Sequence, residues 1–181
     1  MAKLAIGPGG RARGVRFRIV SDLQIRPMTQ EEFSSYRRRA ITEYAAENVR
    51  AGEWSAERAE QRAAKETDDL LPDGADTEGM VLLVGETVGE VVGLVWVGPA
   101  PDDRAGWWIY DIEVVPAQRG RGYGRALLEA AEREAERRGG RSIGLNVFGG
   151  NDVALGMYES SGYQVASIQM RKRLASSSGL V

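Results

Sequence analysis

Residues 119–125 read Arg-Gly-Arg-Gly-Tyr-Gly-Arg, with glycines at Gly120, Gly122 and Gly124 and cations at Arg119, Arg121 and Arg125. A branched apolar run ending in Val114-Val115-Pro116 precedes them, and a strongly helical segment, Ala126–Arg138, follows. Strand, glycine-rich turn and helix N-terminus in that order point several backbone N–H groups at one spot. The positive end of the helix dipole adds to them, so the place suits a phosphate-bearing ligand. A nucleotide-hydrolysing loop needs Gly, four residues and then Gly-Lys-Ser/Thr, and no such string exists in the chain. A dinucleotide turn needs GxGxxG, whereas the glycines here run GxGxG.

Just upstream, Asp111 and Glu113 lie two apart in Trp107–Val115, which reads as a strand. Regular pleating puts both on one face with Ile109 and Val115, and turns Tyr110, Ile112 and Val114 to the other. A carboxylate among apolar neighbours in a sheet has a raised pKa and suits a proton acceptor working near neutrality. Either one could instead be held structurally, by an arginine or by backbone amides at a bulge. Composition narrows the chemistry further, because the chain has no His and no Cys. That removes a histidine base, a catalytic triad, imidazole or thiolate metal ligands, disulfides and a thiolate nucleophile. Acid–base work falls to Asp, Glu, Tyr, Lys, a terminus or water.

The 181 residues suffice for one domain with a substantial core. A net charge of −2 carries no signature of nucleic-acid binding. No apolar run approaches the ~20 residues of a membrane span, and the basic N-terminus lacks the apolar stretch of a secretory signal. The expected location is the cytoplasm, with no membrane partner. Residues 1–20, with Lys3, Arg11, Arg13, Arg16, Arg18 and a Gly-Pro-Gly-Gly run, read as a flexible basic arm. Residues 21–174 form the single domain, and 175–181, which include Ser176-Ser-Ser-Gly, form a loose tail.

Within the domain, β and α patterns alternate. Leu23–Pro27 alternates apolar and polar as a half-buried strand does. Thr29-Gln-Glu-Glu32 is a capping-box pattern for a helix running to about Arg50, where Gly52 stops it. Ser55 is placed to cap a second helix, which Leu70-Leu-Pro-Asp-Gly ends. Val-rich segments at 80–87 and 90–98 form a hairpin turning near Val88-Gly89. Pro99–Gly106 reads as a polar loop before the strand that carries Asp111. After the glycine loop, Leu127, Leu128, Ala131 and Ala135 share one helix face. A strand at Ser142–Phe148, a short helix at 152–160 and a last strand at 163–173 complete the series.

The arginine-led loop Arg119-Gly-Arg-Gly122-Tyr-Gly124 resembles the R/Q-x-x-G-x-G/A loop of the GNAT N-acetyltransferase superfamily. Two more segments match that family in order: the Val114-Val115-Pro116 strand end, and Asn151-Asp-Val-Ala-Leu-Gly-Met-Tyr158-Glu-Ser-Ser-Gly-Tyr163, which looks like N-x-x-A-x-x-x-Y-x-x-x-G-F/Y. The β-α-α-β-β-β-α-β-α-β order agrees as well, so the resemblance covers 22–174. It implies an α/β fold of the GNAT type, with a central, mostly antiparallel mixed sheet of six to seven strands flanked by about four helices.

The resemblance also implies roles. Acetyl-CoA would be the cosubstrate, its pyrophosphate held by Arg119, Gly120, Arg121, Gly122, Tyr123, Gly124 and Arg125. Backbone groups at Val114 and Val115 would bind the pantetheine arm and polarise the thioester carbonyl. Asn151 would contact a pantetheine amide or a phosphate, or else simply cap its helix. Tyr158 would stand near the sulfur as general acid. The expected reaction is direct transfer of an acetyl group to a primary amine in a ternary complex, with Glu113 or Asp111 as base and no metal. No Cys is present to carry the acetyl group. The acceptor, a small molecule or a protein N-terminus or lysine, is not specified. Acidic residues at Asp68, Asp69, Asp73, Asp76, Glu78, Asp102 and Asp103 either draw a cation or are solvated, and Trp107 and Trp108 either line a pocket or are core. The alternative reading is a non-catalytic GNAT-fold module that binds acyl-CoA as a sensor or assembly partner. A homodimer is compatible with the resemblance.

Overall fold

The computed structural model describes residues 22–101 and 103–172. The expected arm at 1–20 and tail at 175–181 lie outside the described residues.

The first strand, β1 (Gln24–Pro27), leads through Thr29 into α1 (Gln30–Arg50). The capping box forms as expected: the Glu32 N–H donates to Thr29 Oγ1 at 3.2 Å, and the Thr29 N–H donates to the Glu32 carboxylate at 2.9 Å. Gly52, at φ 75°, lets the chain leave α1. The second helix, α2 (Ala59–Leu70), begins later than Ser55 would place it. Arg58 holds the cap position with no side-chain bond, because the residues after Ser55 make a turn of their own first.

The hairpin of β2 (Val81–Thr87) and β3 (Glu90–Ala100) turns on Val88 and Gly89, both at positive φ. The fourth strand, β4 (Asp103–Val114), starts earlier than expected. Pro99–Gly106 is mostly strand, with Pro99 opposite Trp107 and Ala100 opposite Asp103. Backbone pairing decided this, and the polar side chains only mark the exposed end of the ladder. Then come α3 (Tyr123–Arg137), β5 (Ser142–Leu145) and α4 (Asp152–Ser160).

The strands lie in chain order, β1-β2-β3-β4-β5, antiparallel except for β4–β5, which the α3 crossover makes parallel. The sheet thus has five strands where six to seven were expected. The difference is the expected last strand: its described part, 163–172, enters no ladder among the described residues.

Alternation along β2 and β3 splits the core in two. Val81, Leu83, Val95 and Val97 meet Leu127, Leu128 and Ala131 of α3 on one face. Leu82, Val84, Leu94 and Trp96 meet Phe33 and Tyr36 of α1 on the other. Gly93 sets the closeness of α3. A Cβ there would lie 2.4 Å from the Glu113 carbonyl oxygen and 2.8 Å from Leu127 Cδ1.

Candidate active site

Opposite β3, the β4 register slips by one residue. Trp96 faces Asp111 but Val97 faces Ile109, so Tyr110 is the extra residue of a bulge. The bulge overturns part of the pleating expected above. Ile109 packs on the α3 face, away from Asp111, while Tyr110 stacks on Trp96 of the α1 face with ring centroids 4.7 Å apart. Asp111 and Glu113 do share a face, and it is the α1 face.

Both carboxylates meet partners from α1. The buried Tyr36 hydroxyl donates to Asp111 Oδ2 at 3.0 Å, and Arg39 donates to Glu113 Oε2 through Nε at 3.1 Å and Nη2 at 2.9 Å. Burial pushes the Asp111 carboxyl from 3.8 up to about 6. The Tyr36 hydroxyl pulls it back, and the charges of Glu113, Glu43 and Glu47 push it further up. Tyr36, Glu43 and Glu47 lie at helical spacing along α1. The last two are themselves raised, chiefly by burial. These α1 groups were not singled out from the sequence. Their only signal there is a polar stripe in register with the apolar face of the helix. Beside Tyr36 and Arg39 lies an open cavity of about 300 Å³, lined also by Val84 and Leu94.

The pairing of β4 with β5 stops at Ile109–Leu145, while β4 runs on to Val114, which leaves an open edge beyond the bulge. The Val115 N–H donates to Val92 O at 2.9 Å, and the Val115 carbonyl accepts from Gln118 N at 2.8 Å. In an antiparallel ladder, peptide groups alternate between the two edges, so those of Ile112 and Val114 point away from β3 into the opening. Of the two valines expected to offer backbone groups, Val114 has its N–H available. Val115 is spent internally. Arg119 reaches back so that its Nε donates to Val114 O at 3.2 Å.

After a turn at Pro116–Gln118, Gly120 and Gly122 take positive φ, 74° and 94°, and Gly122 caps α3. Among the described residues no acceptor meets the N–H groups of Gly120, Arg121, Gly122, Tyr123, Gly124 and Arg125. Six consecutive donors at a helix N-terminus make a concave anion cradle. Gly124 lets α4 close on it, since a Cβ there would sit 3.1 Å from Met157 Sδ.

The model of the acetyltransferase (GNAT) family matches residues 34–163. The chain belongs to that family. It is 33% identical over 156 residues to YycN of Bacillus subtilis (strain 168), an uncharacterized N-acetyltransferase, covering 84% of this chain and 99% of the relative. The crystal structure of YycN superposes with a TM-score of 0.77 over the same shares. A Pyrococcus furiosus structure described as an acetyl transferase is 28% identical, with a TM-score of 0.62 over 84% of this chain and 100% of that one. AAC(6')-Iy, solved with the bisubstrate analogue CoA-S-monomethyl-acetylneamine, shares the fold at 17% identity and a TM-score of 0.57, over 85% of this chain and 100% of that one.

On this GNAT scaffold the remaining expected residues take definite places. Asn151 caps α4, its side chain accepting from Ala154 N at 3.2 Å. Tyr158 is buried against the α3 face. Burial first, and the Asp111 charge second, hold its phenol above the ordinary tyrosine value. Arg125 donates to Ser160 Oγ at 2.7 Å and so ties α3 to α4, whereas Arg121 is exposed. The Tyr123 ring is buried, which leaves its backbone for the cradle. Several acidic residues are engaged in structure: Asp68 pairs with Arg37, Asp69 with Lys65, and Asp76 accepts from Gln30. Trp107 is core, under Arg138. Among the described residues no group of acidic side chains is placed to hold a metal ion, and no helix is long and apolar enough to cross a membrane.

Proposed function

We infer that this chain transfers an acetyl group from acetyl-CoA directly to a primary amine in a ternary complex. The observation that carries the reading is the open edge of β4. It brings a Val114 N–H without a partner among the described residues, a cradle of such N–H groups and a half-buried carboxylate to one strand end.

Acetyl-CoA supplies an acyl group on a sulfur that leaves readily. The Gly120–Arg125 cradle, with Arg119 and Arg121 beside it, suits the pyrophosphate. The Val114 N–H, directed into the opening, suits the thioester oxygen on which negative charge grows. Asn151 and Tyr158 line α4, where the pantetheine arm and sulfur would pass.

Asp111, rather than Glu113, is the base in this reading. Glu113 is committed to the Arg39 guanidinium. Asp111 is held through Oδ2 alone, and its Oδ1 has no hydrogen-bond partner among the described residues. At about 6 it is mostly ionised at neutral pH, yet a better proton acceptor than an ordinary aspartate. A C–N bond forms and the C–S bond breaks, the amine proton passing to Asp111. Tyr158, kept protonated by its raised pKa, donates to the departing sulfur. The acceptor is a primary amine of a small molecule, a protein N-terminus or a lysine, and the reading places the protein in the cytoplasm with the acetyl-CoA pool.

Thiol release from acetyl-CoA, measured across amines, peptides and aminoglycosides, tests the proposal. At least one class should give turnover, and Asp111→Asn should lower kcat/KM by roughly 10²-fold or more. Loss of the acidic limb of the pH–rate profile in Glu113→Gln, but not in Asp111→Asn, would move the base two residues along β4. Acetyl-CoA binding by calorimetry without thiol release from any amine would leave an acyl-CoA-binding module.

A further inference from the structure

The floor of the cavity beside Tyr36 and Arg39 is a row of side chains running across the sheet. Val84 of β2 lies opposite Leu94 of β3, and Leu94 lies opposite Glu113 of β4. Residues directly opposite in antiparallel strands share a face, so the row stands on the α1 face with Asp111. Met28 and Val91 add to the apolar lining, and Val91 is 42% exposed.

Two side chains join this cavity to the carboxylates of β4. Tyr36 lines the cavity and its hydroxyl donates to Asp111 Oδ2, so one tyrosine side chain spans from one to the other. Arg39 also lines the cavity and donates to Glu113. Leu94 is the diagonal neighbour of Asp111, one strand across and one pleat along. That is a reach of about 7–8 Å, which roughly two or three carbons between a nitrogen and an apolar group cover.

The polar groups fix the charge of the occupant. Glu31 and Glu32 stand on the rim, and the Arg39 guanidinium is engaged by Glu113, so an anionic body is disfavoured. The charges of Glu113, Glu43 and Glu47 converge on Asp111 and draw one cation there. The floor of Val84, Leu94 and Met28 offers no side-chain acceptor to a second ammonium, whose burial there is costly.

We propose that the acceptor is a primary amine carrying a compact apolar body, which the cavity takes while the nitrogen stands at Asp111. The step is the one given above: the C–N bond forms and the C–S bond breaks, the amine proton passes to Asp111, and the sulfur takes its proton from Tyr158. The selectivity rests on the acetyl-transfer reading, and that reading stands if the selectivity fails.

Thiol release from acetyl-CoA is compared for phenethylamine, ethylamine and putrescine. Phenethylamine should exceed ethylamine in kcat/KM by about 10-fold or more, because apolar groups in a fitted pocket discriminate on that scale. Val91→Trp fills the cavity from an exposed position and should bring phenethylamine down to the ethylamine rate, with Tm and the ethylamine rate unchanged. Val91→Lys, a slimmer intrusion that carries a repelling charge, should act alike. Amide spectra by nuclear magnetic resonance give a readout without turnover: phenethylamine alone should shift Val84, Val91 and Leu94. Putrescine turning over faster than phenethylamine would overturn the proposal. So would shifts at Glu43 and Glu47 in place of the cavity residues, or a preference that survives both Val91 variants. Shifts in the cavity without thiol release from any amine would support the site and sink the acetyl-transfer reading alone.

Discussion

Replacing Asp111 by Asn should make the protein more stable at neutral pH while removing its proton acceptor. Asp111 lies between α1 and β4, and burial lifts its carboxyl from 3.8 to about 6. The folded state therefore binds the proton more tightly than the unfolded state does. Below about pH 4 both states are protonated and the carboxyl costs nothing. Between about pH 4 and pH 6 the unfolded chain ionises first, so stability falls as pH rises. Above about pH 6 the full cost is present. At ~1.4 kcal/mol per pH unit that cost is about 3 kcal/mol. Asn is neutral, has nearly the same shape and can still accept from Tyr36. Its advantage should be absent near pH 4, grow to pH 6 and then level off. For a domain of this size about 3 kcal/mol corresponds to roughly 6–12 °C in Tm. The charges of Glu113, Glu43 and Glu47 act on an ionised Asp111 but not on Asn, so their effect is contained in that cost. Urea unfolding of both proteins from about pH 4.5 to 7.5 measures it. An advantage independent of pH, or an Asn variant less stable than wild type at pH 7, would refute the argument that burial governs this carboxyl.

Tyr36→Phe removes the donor that favours the ionised form of Asp111. A hydrogen bond to a charged group is worth about 1.5–3 kcal/mol, so the acidic limb of kcat/KM should move up by about one pH unit or more; a fixed limb would separate Tyr36 from the base. Gly120→Asp should abolish the rise in Tm on adding acetyl-CoA, because Gly120 faces open space at φ 74° and a carboxylate there meets the phosphates. Gly120→Asn, equally tolerant of that conformation, should retain most of the shift, and equal behaviour of the two would remove the pyrophosphate from this loop. Tyr158→Phe should lower kcat by roughly 10²-fold with acetyl-CoA affinity within a few-fold by calorimetry, whereas wild-type kcat would leave Tyr158 a packing residue.

Features that rest on neighbours a few residues apart were legible in the chain itself. The Thr29–Glu32 capping box, the Val88-Gly89 turn, the apolar face of α3 and the strand–glycine loop–helix order all depend on chemistry within one turn or one pleat. The same locality placed Asp111 and Glu113 on one face and marked the 119–125 loop as the expected anion site. What required the folded chain was every decision taken between distant segments. The bulge at Tyr110 comes from how β4 registers on β3, and it alone turns Ile109 away from Asp111. Tyr36 and Arg39 reach their carboxylates from α1, more than seventy residues upstream, and that separates a half-buried, singly held Asp111 from an ion-paired Glu113. The end of β4–β5 pairing at Leu145 leaves the Val114 N–H available, while Val92 O takes the N–H of Val115. Residues 164–172 carry a strand pattern, yet a strand exists only where an edge accepts it, and among the described residues none does.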